Sequence, residues 1–254
     1  MTDDSREQTG TERRRRSRRA ARTDWRLGGH TVRPWRESLL AVACGALAVT
    51  IVIAALVDWL VPEVPLVGVL LPWAAMTAVV VFALSRSRPV GLLRLRAVDV
   101  LFGLGFGLVL RTVSGWMESA TTGGVRFPSF VLVDGRIAVQ TWAVDVVGAA
   151  VVAPVLEELF FRGVVLVCVY GMLRRPFGRR IAGVAAVLVS TGIFVLVHAV
   201  TSSADPGGAW MLALLGLVCA SLVMLTGRIW SAVFTHVCVN ASYVVLALIG
   251  TFWG

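Results

Sequence analysis

Apolar residues in this chain neither alternate nor keep to one helical face; they run on. From Leu39 to Val61 the only charged position is Asp58, and Pro62 and Pro65 close the run. Comparable runs recur at about 66–84, 98–115, 139–173, 181–200, 208–226 and 229–250. Each has at least the ~17 residues that carry an α-helix across a ~30 Å hydrocarbon core, and 139–173 is a longer helical stretch. The pattern predicts an all-α, polytopic transmembrane helix bundle of about seven spans. The fourth span should be irregular near Pro154, because a proline inside a helix removes one hydrogen bond and crowds the preceding turn. Gly103, Gly105 and Gly107 give the third span a small-residue face suited to close helix contact.

Between the runs the chain divides into three parts. Residues 1–37 are polar and expected to be disordered. Residues 38–138 hold spans 1–3 and a polar connecting segment, about 116–138. Residues 139–250 hold the remaining spans. No internal repeat and no separate soluble domain is visible.

Composition agrees: 57% of residues are hydrophobic and 15% charged, where a soluble domain carries nearer ~25% charged. The net charge of +9 is uneven, since residues 1–36 contain 11 arginines of the 24 basic residues. The absence of lysine is a compositional pointer to a GC-rich, bacterial genome. An arginine run such as Arg13, Arg14, Arg15 and Arg16 is consistent with nucleic-acid binding. Beside seven spans it is better read as a cytoplasmic tail that meets anionic lipid and sets orientation, with no nucleic-acid partner.

The positive-inside rule then places 85–96 in the cytoplasm, with Arg86, Arg88, Arg94 and Arg96. It places 174–180 there too, with Arg174, Arg175, Arg179 and Arg180, and the turn at Arg228. The arginine-free connections 62–65 and 201–207 face outside. Seven spans from a cytoplasmic N-terminus leave the C-terminus outside. Cys44, Cys168, Cys219 and Cys238 lie in apolar stretches without C-x-x-C spacing and are read as packing residues.

Against this background, ionisable groups within spans are the informative positions, because each costs several kcal/mol unless paired or solvated. Span 4 carries Glu157 and Glu158 side by side. Glu158 and Arg162 are four apart with the acid first, the favourable order for a helical ion pair. Glu157 points ~100° away around the helix and is free to act as a general base. Phe194 and His198 follow near the end of span 5. His236 and Asn240 share a face of span 7. His30, in the tail, is assigned nothing. By helical rise, Glu158 and His198 both sit ~23–26 Å from the 174–180 hairpin, whereas His236 is only ~12 Å from Arg228. Either spans 4 and 5 project beyond the bundle, or the turn between spans 6 and 7 is sunk into it.

Three motifs, E-E-x-x-x-R at Glu157, Glu158 and Arg162, F-x-x-x-H at Phe194 and His198, and H-x-x-x-N at His236 and Asn240, stand in order on successive spans. Together they resemble the CPBP family of CAAX-prenyl-protease and bacteriocin-processing intramembrane endopeptidases, over roughly residues 140–245. The resemblance implies hydrolysis of a peptide bond in a membrane-associated peptide or protein by glutamate-activated water. Glu157 and His198 would activate the water, and His236 and Asn240 would hold the oxyanion. Glu158, Arg162 and Phe194 would support them. No cofactor is expected on this reading. Zinc held by Glu157, His198 and His236 is the alternative, although no H-E-x-x-H is present. Two other functions stay open: a non-catalytic scaffold or immunity protein of the same fold, and a proton-coupled transporter, which should show inverted repeats.

Overall fold

A computed structural model describes residues 24–27, 32, 34–63, 66–122, 127–201 and 206–253. The arginine run at 13–19, His30 and residues 202–205 lie outside the described residues. Among the described residues, six helices are long and apolar enough to cross a membrane. They are α1 (Glu37–Leu60), α2 (Leu66–Arg86), α3 (Ala97–Thr122), α4 (Val139–Thr201), α5 (Pro206–Thr226) and α6 (Trp230–Trp253). The chain is an all-α, multi-pass membrane bundle. Large apolar side chains such as Val52, Leu101 and Val184 stand exposed on its outer surface, as a lipid-facing wall requires.

The seven expected runs and the six helices are reconciled at Gly178. Its backbone (φ 78°, ψ 172°) is non-helical and breaks α4 into two arms, 139–177 and 179–201. Positive φ is a conformation glycine adopts without strain. The arms double back on each other: Ser190 Oγ donates to the Phe161 carbonyl at 2.9 Å, and the Phe161 and Phe194 rings meet edge-on at 5.3 Å. The expected loop over 174–180 is therefore a single broken residue with helix on both sides. Arginine is a good helix former, so the basic cluster continues the arms.

The same region answers the depth question. Trp25, in a short 3₁₀ turn Trp25–Leu27, donates its indole N–H to the Gly227 carbonyl at 3.0 Å and packs on the Tyr170 ring at 5.4 Å. The α5–α6 turn thus lies level with Tyr170. Gly178 is eight residues further, or ~12 Å, so the two arms of α4 project past the bundle. Ordered packing at Trp25, 2% exposed, also shows that the expected disordered tail gives way to fixed structure before residue 37. The indole N–H and its large apolar ring supply the reason.

Helices α3 and α6 run parallel and in close register. A Cβ on Gly103 would collide with Phe234, and one on Gly107 would stand 2.5 Å from the Cys238 Cβ. Gly105 meets nothing within 4 Å. The small face is therefore the i,i+4 pair Gly103–Gly107 alone, as helical geometry demands. At the same end, Asp99 is fully buried and accepts a forked bond from Arg228, with Nη2–Oδ1 at 2.8 Å and Nε–Oδ2 at 2.9 Å. Ile229 N–H and the Trp230 indole donate to the Leu92 and Leu93 carbonyls. These bonds fix where α6 enters the bundle. Cys168 and Cys219 are buried, and all four cysteines are free thiols.

Candidate active site

The first arm of α4 is not a uniform α-helix. Trp142–Val152 and Glu158–Val165 are wound as π-helix, with an α-helical turn, Ala153–Glu157, between them. The irregularity expected at Pro154 takes this form. In the first π segment the Ala153 N–H bonds the Gly148 carbonyl, five residues back. The next bond of that ladder would run from residue 154 to Ala149. Proline has no N–H, so the Ala149 carbonyl is left without its ladder partner. Asn240 supplies one: its Nδ2 donates to the Ala149 oxygen at 2.9 Å. π-bulges of this kind are concentrated at functional sites in proteins generally.

The second π segment presents the two carboxylates in different directions. Glu158 is fully buried, and its Oε1 lies 3.1 Å from Nη1 of the equally buried Arg162, the i,i+4 pair read from the sequence. The same oxygen stands 2.9 Å from His236 Nδ1. Arg162 reaches across to α5, where Nη2 donates to the Gly216 carbonyl at 3.2 Å, and its guanidinium lies 4.5 Å above the Phe194 ring. Gly216 is required by this approach, since a Cβ there would stand 2.9 Å from Thr191 Cγ2 and 3.3 Å from Arg162 Nη2.

Glu157, turned away from Arg162, sits between the histidines. Its Oε2 is 3.8 Å from His198 Nε2 and 3.8 Å from His236 Nε2. His198 Nδ1 lies 2.9 Å from the Phe194 carbonyl. Phe194 wedges the cluster, with ring centroids 4.4 Å from His198 and 5.8 Å from His236.

Tautomers follow from the partners. A carbonyl and an ionised carboxylate only accept, so both imidazoles carry their proton on Nδ1. When neutral they aim an Nε2 lone pair at Glu157 Oε2. Three acceptors thus converge on one small region, each separation too long for a direct hydrogen bond and suited to a bridging donor. Among the described residues, no group of three His, Cys, Asp or Glu side chains is drawn close enough to read as a metal site.

Sequence reasoning named all seven of these residues; six of them touch one another in one connected cluster, while Asn240, one turn beyond His236 on α6, bonds the Ala149 carbonyl instead. Sequence reasoning did not foresee that Glu158 holds His236 as well as Arg162. Nor did it single out Arg111, an arginine midway along α3 whose place within an apolar run was itself a signal. A cavity of about 840 Å³ opens beside the cluster and is lined by Arg111, Asp145, Trp210, Asn240 and Tyr243, among others.

No curated protein and no solved structure matches the chain. Residues 139–242, which span the whole cluster, match the family model described as type II CAAX prenyl endopeptidase Rce1-like. Through this segment the chain is similar to the CAAX-protease family of peptidases.

Proposed function

We propose that the protein is an intramembrane endopeptidase in which Glu157 activates water for attack on a peptide bond of a membrane-associated peptide or protein. The observation that carries the reading is the convergence of Glu157 Oε2, His198 Nε2 and His236 Nε2, at 3.8 Å on either side of the carboxylate. A water between them donates one proton to Glu157 and the other to His198. Its oxygen forms the C–O bond as Glu157 takes the first proton, and the carbonyl electrons move onto oxygen. The oxyanion is held by the second Nδ2–H of Asn240 and by His236, which donates from Nε2 when it carries both ring protons. Such donors are aimed at charge that develops only in the transition state. Collapse of the intermediate breaks the C–N bond, and the proton on Glu157 passes to the departing amine.

The remaining residues position these groups. Glu158 fixes the His236 ring through Nδ1, and Arg162 balances the Glu158 charge in a site sealed from solvent. Arginine-rich segments at one end of the bundle favour a cytoplasmic N-terminus and an outside C-terminus. The arrangement gives a scaffold reading no purpose for Glu157, which spans to both histidines without serving the Arg162 pair.

A divalent cation is the alternative to the metal-free route. Glu157, His198 and His236 would hold it, and it would supply Lewis acidity. Ligand atoms at zinc's ~2.0–2.1 Å bond lengths stand only ~3.4 Å apart in a tetrahedron, so the observed spacing is wider than a zinc site. The test uses detergent-purified full-length chain and mass-spectrometric detection of cleaved membrane peptides. Glu157→Gln and His198→Ala should each lower turnover by ~10²–10⁴ without loss of folded protein, and chelation should leave the wild type active. Stoichiometric zinc, with activity lost on its removal and restored on its return, overturns the metal-free route. Full activity in Glu157→Gln overturns the glutamate-base reading altogether.

A further inference from the structure

Residues 127–138, between α3 and α4, form a hairpin whose apolar side chains the bundle leaves uncovered. The chain reverses at Asp134 and Gly135, where φ is positive (52° and 72°), as the tight two-residue hairpin turn requires. Val133 N–H donates to the Arg136 carbonyl at 2.8 Å, and Arg136 N–H donates back to the Val133 carbonyl at 3.1 Å. Side chains two apart on an extended strand share a face, so Val131 and Val133 stand together. They are 82% and 58% exposed. Leu132, and Val139 where α4 begins, are exposed as well.

Contacts with α6 give the hairpin its height. Phe130 N–H donates to Thr251 Oγ1 at 2.8 Å, and a Cβ on Gly250 would collide with Phe127 and with the Pro128 carbonyl. The hairpin therefore springs from the level of residues 250–251. Exposed tryptophans mark the same zone. Gly107 packs at Cys238, so Trp116, nine residues further along the parallel α3, stands level with residue 247. Asn240 bonds Ala149, so Trp142, seven residues back along the oppositely directed α4, reaches at least that level. Trp253 lies two residues past Thr251, and all three rings are exposed. Tryptophans so placed settle at the membrane–water boundary.

We propose that the hairpin is an interfacial lipid anchor: Val131, Leu132 and Val133 lie in the headgroup boundary at the end of the bundle that carries Trp116 and Trp253. The partner is lipid because the apolar face runs on, through exposed Val139 and Trp142, into the lipid-facing wall. Its backbone fixes the depth. Among the described residues the hairpin closes a single β-bridge, Val133 to Arg136, so other backbone groups need water or headgroups as partners. That keeps the hairpin out of the hydrocarbon core and leaves it at the boundary. Arg136, beside the turn, is suited to a lipid phosphate there.

Fluorescence quenching in vesicles of phosphatidylcholine and phosphatidylglycerol tests the anchor. Single cysteines at 131 and 133, on a cysteine-free full-length chain, carry a bimane label. Position 108, exposed midway along α3, and position 177, exposed at the projecting tip of α4, give the lipid and water extremes. Lipids with a nitroxide near the top of the acyl chain should remove most of the emission at 131 and 133. Lipids with the nitroxide at the chain end should remove less, and aqueous iodide should remove little. In a second chain the label moves to 132, and Val131→Asp is combined with Val133→Asp. Iodide quenching at 132 should then rise and lipid quenching fall, relative to the same label without the aspartates. The signal from 108 should not change, which shows the bundle intact. Iodide quenching at 131 and 133 equal to that at 177 puts the hairpin in water and overturns the proposal. Protection from both quenchers puts it under a protein partner or a second copy and overturns it too. So does lipid quenching at 132 that survives both aspartates, because the valines would then not be what holds the hairpin.

Discussion

The side-chain amide of Asn240 donates to the Ala149 carbonyl at 2.9 Å, occupying the acceptor that Pro154 leaves unserved. On the proposed mechanism one residue has two separable jobs: it completes the backbone of α4, and its second N–H serves the reacting carbonyl. Asn240→Ala should cost ~1–3 kcal/mol, the usual penalty for a buried acceptor without a partner. Turnover should also fall ~10²–10³-fold, as for one lost oxyanion donor. Pro154→Ala restores a backbone N–H at the right place. In the double variant, thermal unfolding in detergent should show stability recovered while turnover stays low. Recovery of both would mean that Asn240 acts only as a cap.

The Glu158–Arg162 pair should respond asymmetrically to its two deletions. Arg162→Ala strands a fully buried carboxylate, so stability should fall by ~3–5 kcal/mol and yield should fall with it. Glu158→Gln keeps the shape but weakens the hold on His236. Its folded yield should stay higher than that of Arg162→Ala, while kcat drops ~10–100-fold, the scale seen when a partner that orients a histidine is removed, with KM little changed. The comparison needs unfolding curves and steady-state kinetics on both purified variants. Equal loss of stability in both would contradict the assignment of Glu158 as the His236 anchor.

Orientation can be tested with single cysteines on a cysteine-free background, labelled from one side of sealed cells. Positions 90 and 177 should be protected from an impermeant maleimide until the membrane is opened, and position 130 should react directly. Direct reaction at 177 would place the basic tip of α4 outside and reverse the arginine-based orientation.

Two truncations should differ. Removal of residues 1–23 should leave unfolding temperature and turnover unchanged, because the cut spares Trp25. Removal of residues 1–33 also deletes the Trp25 indole and the Arg26 contacts to the Met224 and Leu225 carbonyls. It should cost ~3–5 kcal/mol, as for excising a buried tryptophan, with kcat retained in whatever fraction folds. Identical unfolding temperatures for the two truncations would show that the packing at Trp25 contributes nothing.

What the sequence revealed and what it withheld follow from range. The spans were legible because crossing a membrane imposes apolar runs of fixed length. The Glu158–Arg162 pair was legible because four residues is one helical turn. The bond from His236 to Glu158 joins positions 78 apart, and no local spacing encodes it. Asn240's service to Ala149 depends on a π ladder meeting a proline, and the change from α to π register leaves no mark in composition. Trp25 was hidden among arginines, whose charge suggested solvent although one ring was enough to anchor the segment. Arg111 was visible as an ionisable group within a span, but it lacked a neighbour at helical spacing to draw attention to it.

The long reach of the Trp25 contact also governs the order of biosynthesis. Trp25 and its partner Gly227 are 202 residues apart. At ~5–20 residues per second, the usual pace of synthesis, the indole waits ~10–40 s for the carbonyl that will hold it. During that interval the ring has a natural resting place at the membrane–water boundary, where tryptophans settle, held there among arginines that favour the anionic surface. A shorter delay applies to the cluster itself, since Glu158 precedes His236 by 78 residues. A nascent chain therefore carries the carboxylates through the translocation machinery with Arg162 as their first companion, and acquires the complete site only once the helix bearing His236 has been inserted.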